Sequence, residues 1–137
     1  TDGRKMSKSY NNFIDIFLPS KELKKQISAI VTDATPLEEP KNPDTCNVFA
    51  LYRLVASPEQ VETMRGNYLR GGFGYGHAKQ ELQAVLETKF AKERELFNEY
   101  MQNPEQIEKI LSKGEAKAKE IALKTLDRIR EVTGFRG

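Results

Sequence analysis

The chain has 137 residues, enough for one compact domain with its own hydrophobic core and too few for a nucleotide-binding fold plus a second domain of ordinary size. Charged residues make up 31% of it, yet the formal net charge is only +2, so overall charge singles out neither nucleic acid nor a membrane surface as partner. One cysteine, Cys46, excludes an intramolecular disulfide and a thiolate metal cluster, and no run nears the roughly 18 apolar residues of a membrane span. The composition reads as a soluble, cytoplasmic protein with Cys46 as a small buried residue. The chain opens at Thr1 inside a dense polar motif, as a piece of a longer polypeptide would.

Residues 1–12 have no apolar period and read as an exposed loop. A short apolar run, Phe13 to Leu18, then enters the core. Pro19 and Ser20 start a helix whose Leu23, Ile27, Ile30 and Val31 share one face, predicting helix from Ser20 to Val31. The segment TDATPLEEPKNP, residues 32–43, holds three prolines and cannot be continuous helix or paired strand. Asn42-Pro43 resembles a cap with proline at the first helical position, leading into a well-buried helix through Val48, Phe49, Ala50, Leu51, Leu54 and Val55.

Ser57-Pro58-Glu59-Gln60 and Asn103-Pro104-Glu105-Gln106 repeat one helix-starting device, a capping side chain, a proline and a glutamine placed to close a capping box. Between them, Ala78, Leu82, Val85, Leu86, Phe90, Phe97, Tyr100 and Met101 predict one long helix after a glycine-rich loop. Past a break at Gly114, Ala118, Ile121, Ala122, Thr125, Leu126, Ile129 and Val132 form the clearest stripe, ended by Gly134. The fold class is therefore all-α, a bundle of five or six helices with an N-terminal loop extension. The expected division is residues 1–18 as loop and linker and 19–137 as helical domain.

The most informative segment is Asp2-Gly3-Arg4-Lys5-Met6-Ser7-Lys8-Ser9, which places two ammonium groups and two hydroxyls on a small-residue loop able to close around phosphates. An ammonium on a flexible stem can follow negative charge as a phosphoryl bond breaks. Two lysines at this spacing, taken alone, are usually a solvated basic loop. Gly71-Gly72-Phe73-Gly74-Tyr75-Gly76 has neither standard phosphate-loop spacing and follows a helix, so it reads chiefly as a turn, the alternative being that Tyr75, His77 or Lys79 touches RNA. His77 is the only histidine and has no evident acid–base or metal partner. Arg65, Arg70, Lys117, Lys119, Lys124, Arg128 and Arg130 are candidates for phosphate contacts, but Glu93, Glu95, Glu99 and Glu108 dilute that charge.

Lys5-Met6-Ser7-Lys8-Ser9 matches, letter for letter, the KMSKS signature of class I aminoacyl-tRNA synthetases. The remainder resembles the C-terminal region of tryptophanyl-tRNA synthetases across essentially its whole length. The likeness lies in Asp2-Gly3, Val31-Thr32-Asp33, the run Glu39 to Asp44, Val48 to Tyr52, Gly71 to Lys79, and the closing helix from Thr125-Leu126 to Gly134. Tyrosyl enzymes share the loop; the proline-rich connection and the glycine loop favour the tryptophanyl branch. A helical interaction module whose basic loop meets an acidic partner is the alternative outside translation.

The resemblance implies an enzyme that activates tryptophan with ATP and Mg²⁺ to an aminoacyl-adenylate and transfers it to tRNA(Trp). Lys8 and Lys5 are then the catalytic residues, and Lys5, Met6, Ser7, Lys8 and Ser9 the ATP-binding set. Lys8 contacts the pyrophosphate portion as the amino acid attacks the α-phosphate, and the Met6 region lies beside the adenine. Asp44, Cys46, Asn47 and Tyr75 are implied as the anticodon-contacting residues, Asp44 being able to accept from a cytosine amino group or, equally, merely to complement a helix dipole. The nucleotide fold that binds tryptophan would lie before Thr1, so the chain alone is expected to be inactive and to hold no cofactor or metal. The resemblance further implies a homodimeric ligase with tRNA as its nucleic-acid partner, and neither DNA nor a membrane.

Overall fold

The computed structural model describes residues 1–135. Among these, regular structure is entirely helical: α1 Ser20–Ser28, α2 Asn47–Val55, α3 Pro58–Arg70, α4 Tyr75–Lys89, α5 Ala91–Gln102 and α6 Pro104–Thr133, with 3₁₀ turns at Lys8–Tyr10 and Pro43–Thr45. The chain divides into two compact units, Thr1–Arg94 and Glu95–Gly137, a different place from residue 18 because the N-terminal loop is hydrogen-bonded into the first unit.

In the first unit α1 and α2 both pack on α4. The apolar spacing explains why: Leu23 and Ile27 of α1, Val48, Phe49 and Tyr52 of α2, and Ala78, Leu82 and Leu86 of α4 recur every three or four residues and are all buried. Met64 and Tyr68 of α3, with Ile30 and Cys46 outside the α-helices, complete the core. Each fully buried Leu or Ile contributes about 1.5–3 kcal/mol relative to exposure. The other face of α2 is open, with Leu54 70% exposed, so the helix is half-buried rather than wholly buried as its apolar run predicts. Two lysines of α4 serve its neighbours: Lys79 Nζ donates to the carbonyl of Ser28 at 2.7 Å and Lys89 Nζ to that of Val55 at 3.1 Å. Each places positive charge at the carbonyl end of a helix, where the macrodipole favours it.

Four predicted boundaries move. α1 stops at Ser28 rather than Val31, because the Val31 N–H donates to the carbonyl of Thr1 at 2.9 Å. Asn42 caps the 3₁₀ turn at Pro43–Thr45, and α2 begins after it at Asn47 with no side-chain cap. The single long helix after the glycine loop is two, α4 and α5. At the joint Phe90 packs against the core, and the Arg94 guanidinium donates to the carbonyls of Ile16 and Leu18. Gly114 breaks nothing: α6 runs through it for 30 residues.

The capping box of α3 is complete, with Ser57 and Gln60 bonded reciprocally. The second copy is not, since Asn103 donates its Nδ2 back to Glu99 O at 3.0 Å and α6 starts without a side-chain cap. In the second unit, the stripe of α6 ends at Gly134 in the left-handed region, as its sequence predicts, but Ile121, Ile129 and Val132 are 66%, 51% and 83% exposed. Lys124 and Glu120 pair at 2.7 Å on the polar side of the same helix.

Two glycines give opposite expectations. Gly71 has φ +78° and ψ 172°, and a Cβ there would lie 2.4 Å from the carbonyl oxygen of Glu38; Gly114 is mid-helix with open space around it. Gly71→Ala should therefore destabilise the chain by about 1–3 kcal/mol or more, and Gly114→Ala should stabilise α6 by about 0.8–1 kcal/mol. Urea unfolding followed by circular dichroism checks both signs.

Candidate functional site

The lysine loop is folded around one residue. Asn12 is 2% exposed, and both ends of its carboxamide are used: Oδ1 accepts from the Ser7 N–H at 2.8 Å, and Nδ2 donates to Lys5 O at 3.2 Å and to Asp2 Oδ1 at 2.9 Å. Its main-chain carbonyl accepts from the nitrogen and the hydroxyl of Thr1. Asp2 in turn takes the Arg4 guanidinium at 2.6 Å, and that guanidinium lies 5.0 Å from the centre of the Tyr10 ring. Ser7 and Ser9 share a hydroxyl–hydroxyl bond of 2.8 Å.

The consequence is a division among the loop's cations. Arg4 is occupied by Asp2 and Tyr10, whereas Lys5 and Lys8 are exposed and their ammonium groups have no hydrogen-bond or ion-pair partner among the described residues. Two uncompensated ammonium groups thus flank an exposed Met6 and Ser7, with Ser9 just beyond Lys8. The Arg4 hydrogen bond, then that of Asn12, holds the Asp2 carboxyl far below the usual carboxylate value of 3.8.

The start of α2 forms a second polar surface. Asp44 is exposed and pairs with Arg65 of α3 at 2.8 Å, which lowers its pKa, and the guanidinium of Arg65 sits 5.1 Å from the Phe49 ring centre. Asn47 donates Nδ2 to Val31 O at 3.0 Å, and its Oδ1 abuts Gly3. Cys46 is 6% exposed with Sγ 3.4 Å from the Tyr68 hydroxyl, so its side chain faces the core, not a ligand. Tyr75 opens α4 and donates its hydroxyl to Asp33 Oδ1 at 2.7 Å; burial and that bond push its pKa to about 12. His77, expected in a loop, lies in the first turn of α4 against the Phe73 ring.

The chain aligns along its full length with tryptophan–tRNA ligase of Fusobacterium nucleatum at 43% identity, spanning 42% of that protein. It is 44% identical to the Rhodopirellula baltica ligase over 99% of the chain, again 42% of the relative. Crystal structures of tryptophanyl-tRNA synthetase from Campylobacter jejuni superpose on 98% of it, with TM-scores of 0.92 and 0.93 and 43% and 44% identity. By sequence and by fold, the chain corresponds to the C-terminal part of the tryptophan–tRNA ligases. It spans less than half the length of the curated relatives named here. One of the Campylobacter structures is described as complexed with ADP and tryptophan. No family model matches the chain.

The residues expected from sequence lie in three places. Lys5, Met6, Ser7, Lys8 and Ser9 are brought together on the loop, while Asp44 and Asn47 lie at the start of α2 and Tyr75 beyond the proline-rich connection. Two residues with large structural parts were missed. One is Asn12; the other is Lys41, 2% exposed, whose Nζ donates to the carbonyls of Pro36, Leu37 and Glu39 and lies 5.5 Å from the Tyr75 ring centre. An asparagine ending a polar loop and a lysine inside a proline-rich run were their only signals.

Because the folded pKa of Asp2 is depressed, the loop contacts it makes are fully present above 3.8 and are lost only as pH falls through the lowered value. A carboxyl ¹³C titration should place the Asp2 midpoint below 3.8, and Arg4→Ala should move it upward.

Proposed function

We propose that this chain supplies the nucleotide-handling lysine loop and the anticodon-binding helices of a cytosolic tryptophan–tRNA ligase. The parent enzyme activates tryptophan with ATP and charges tRNA(Trp), acting as a homodimer. The observation that carries this reading is the intact Lys5-Met6-Ser7-Lys8-Ser9 loop, with neither ammonium group partnered among the described residues, inside a chain that aligns over its own full length with such a ligase at 43% identity.

Lys8 and Lys5 offer compact positive charge to the triphosphate. In the transition state Lys8 stabilises the charge that develops on the departing pyrophosphate while the tryptophan carboxylate attacks the α-phosphate. The serine hydroxyls and the exposed backbone of the loop are further donors to phosphate oxygens. The Mg²⁺ of this reaction would enter with the nucleotide's phosphates. The tryptophan pocket lies outside these helices in our reading, which leaves the chain inactive by itself.

At the start of α2, Asp44 presents a carboxylate to a base amino group, with Arg65 able to exchange its ion pair for a phosphate. Asn47 opens α2 and Tyr75 opens α4, each already making a protein contact. In the ligase that carries this chain, Lys8→Ala should slow tryptophan-dependent pyrophosphate exchange about 10²–10³-fold.

The anticodon reading is tested by titrating the chain with tRNA(Trp) and with the same tRNA altered at the anticodon, at two salt concentrations. Phosphate attraction fades with salt, whereas base readout persists as a difference between sequences. Discrimination that survives added salt and is lost in Asp44→Ala is the expected result. Equal, salt-sensitive binding of both tRNAs would place anticodon recognition elsewhere.

A further inference from the structure

We infer that Asn12, which lies outside the five-residue lysine signature, is the positioning residue that gives the loop its phosphate-binding shape. The inference rests on the phosphate reading of the loop given above. Three observations carry it. First, Asn12 is almost wholly buried, and its carboxamide meets three partners spread across residues 2–7. Second, the contact to Ser7 N holds the residue immediately before the Lys8–Tyr10 turn, and the contact to Lys5 O holds the other lysine's own carbonyl. Third, neither lysine ammonium has a hydrogen-bond or ion-pair partner among the described residues, so it is this backbone that sets where the two side chains start.

The chemistry selects asparagine. Its site demands an acceptor for Ser7 N and, on the same planar group, donors for Lys5 O and the Asp2 carboxylate. Aspartate has the shape but no donor, and it would set a second negative charge against Asp2. Leucine would leave all three partners unmet. The chain leaves Asn12 through Asn11, which has φ 49° and accepts the left-handed conformation that ends the 3₁₀ turn. Asn12 touches no substrate in this arrangement; it acts through Lys5 and Ser7.

The test is an NMR titration of the chain with inorganic tripolyphosphate, following loop amides in the native protein, Asn12→Asp, Asn12→Ala and Lys8→Ala. Asn12→Asp should weaken tripolyphosphate about fivefold or more and speed hydrogen exchange at the Ser7 amide. The melting temperature of the helices should stay within a few degrees, because the loop lies outside their core. Unchanged affinity in both Asn12 variants, with loss in Lys8→Ala, would overturn the inference and leave the phosphate reading standing. Unchanged affinity in Lys8→Ala as well would remove the phosphate reading, and the part assigned to Asn12 with it.

Discussion

Between Val31 and Cys46 the chain carries three prolines and can lend its backbone to neither helix nor sheet, so each polar group it buries needs its own partner. Lys41 meets most of that demand. Its main-chain N–H donates to Tyr68 O at 2.8 Å, and its Nζ spends three donors on the carbonyls of Pro36, Leu37 and Glu39. Gly72 N closes the same segment onto Leu37 O, and the absence of a side chain at Gly71 lets Glu38 approach. The connection is thereby clamped against α3 and the glycine turn. Both candidate sites hang on its ends: Val31 holds Thr1 at the base of the lysine loop, and Asn42 shapes the turn that carries Asp44.

The near-neutral balance of the chain hides a sorting of its cations. Lys41, Lys79, Lys89 and Arg94 are consumed by carbonyls, and Arg4 and Arg65 by carboxylates. The hydrogen-bond donors of these groups are engaged within the fold. Lys5 and Lys8 are held only through their backbone, and their side chains stay free to move with a phosphate. Two unpartnered ammonium groups on one short loop suit a reaction in which negative charge shifts along a phosphate chain. Burying one lysine and freeing two others is the same principle applied in opposite directions.

Much of this was legible in the sequence, for physical reasons that vary by element. Ser57-Pro58-Glu59-Gln60 announced α3 because every group needed for its capping box is local. The helical class and the loop's pentapeptide were equally plain. What escaped was decided by distant partners. Nothing near Phe90 says that Arg94 will anchor to Ile16 and Leu18 and split one apolar stripe into α4 and α5. The spacing of Cys46 beside Asp44 looks suited to base contact until Tyr68, 22 residues on, draws the thiol inward. Gly114 reads as a breaker, yet a glycine in a long helix costs only about 1 kcal/mol, less than the neighbouring turns of α6 supply.

The claim on which everything functional rests is that Lys5 and Lys8 meet the phosphates of ATP while the other lysines serve the fold or the solvent. Lysine footprinting measures this directly: the ligase carrying this chain is acetylated briefly with and without ATP, and each lysine is read by mass spectrometry. Selective protection of Lys5 and Lys8 by ATP, with Lys21, Lys24 and Lys117 unchanged, is the expected result. Protection that spares both loop lysines, or that falls equally on all, would contradict the assignment of this loop to the nucleotide.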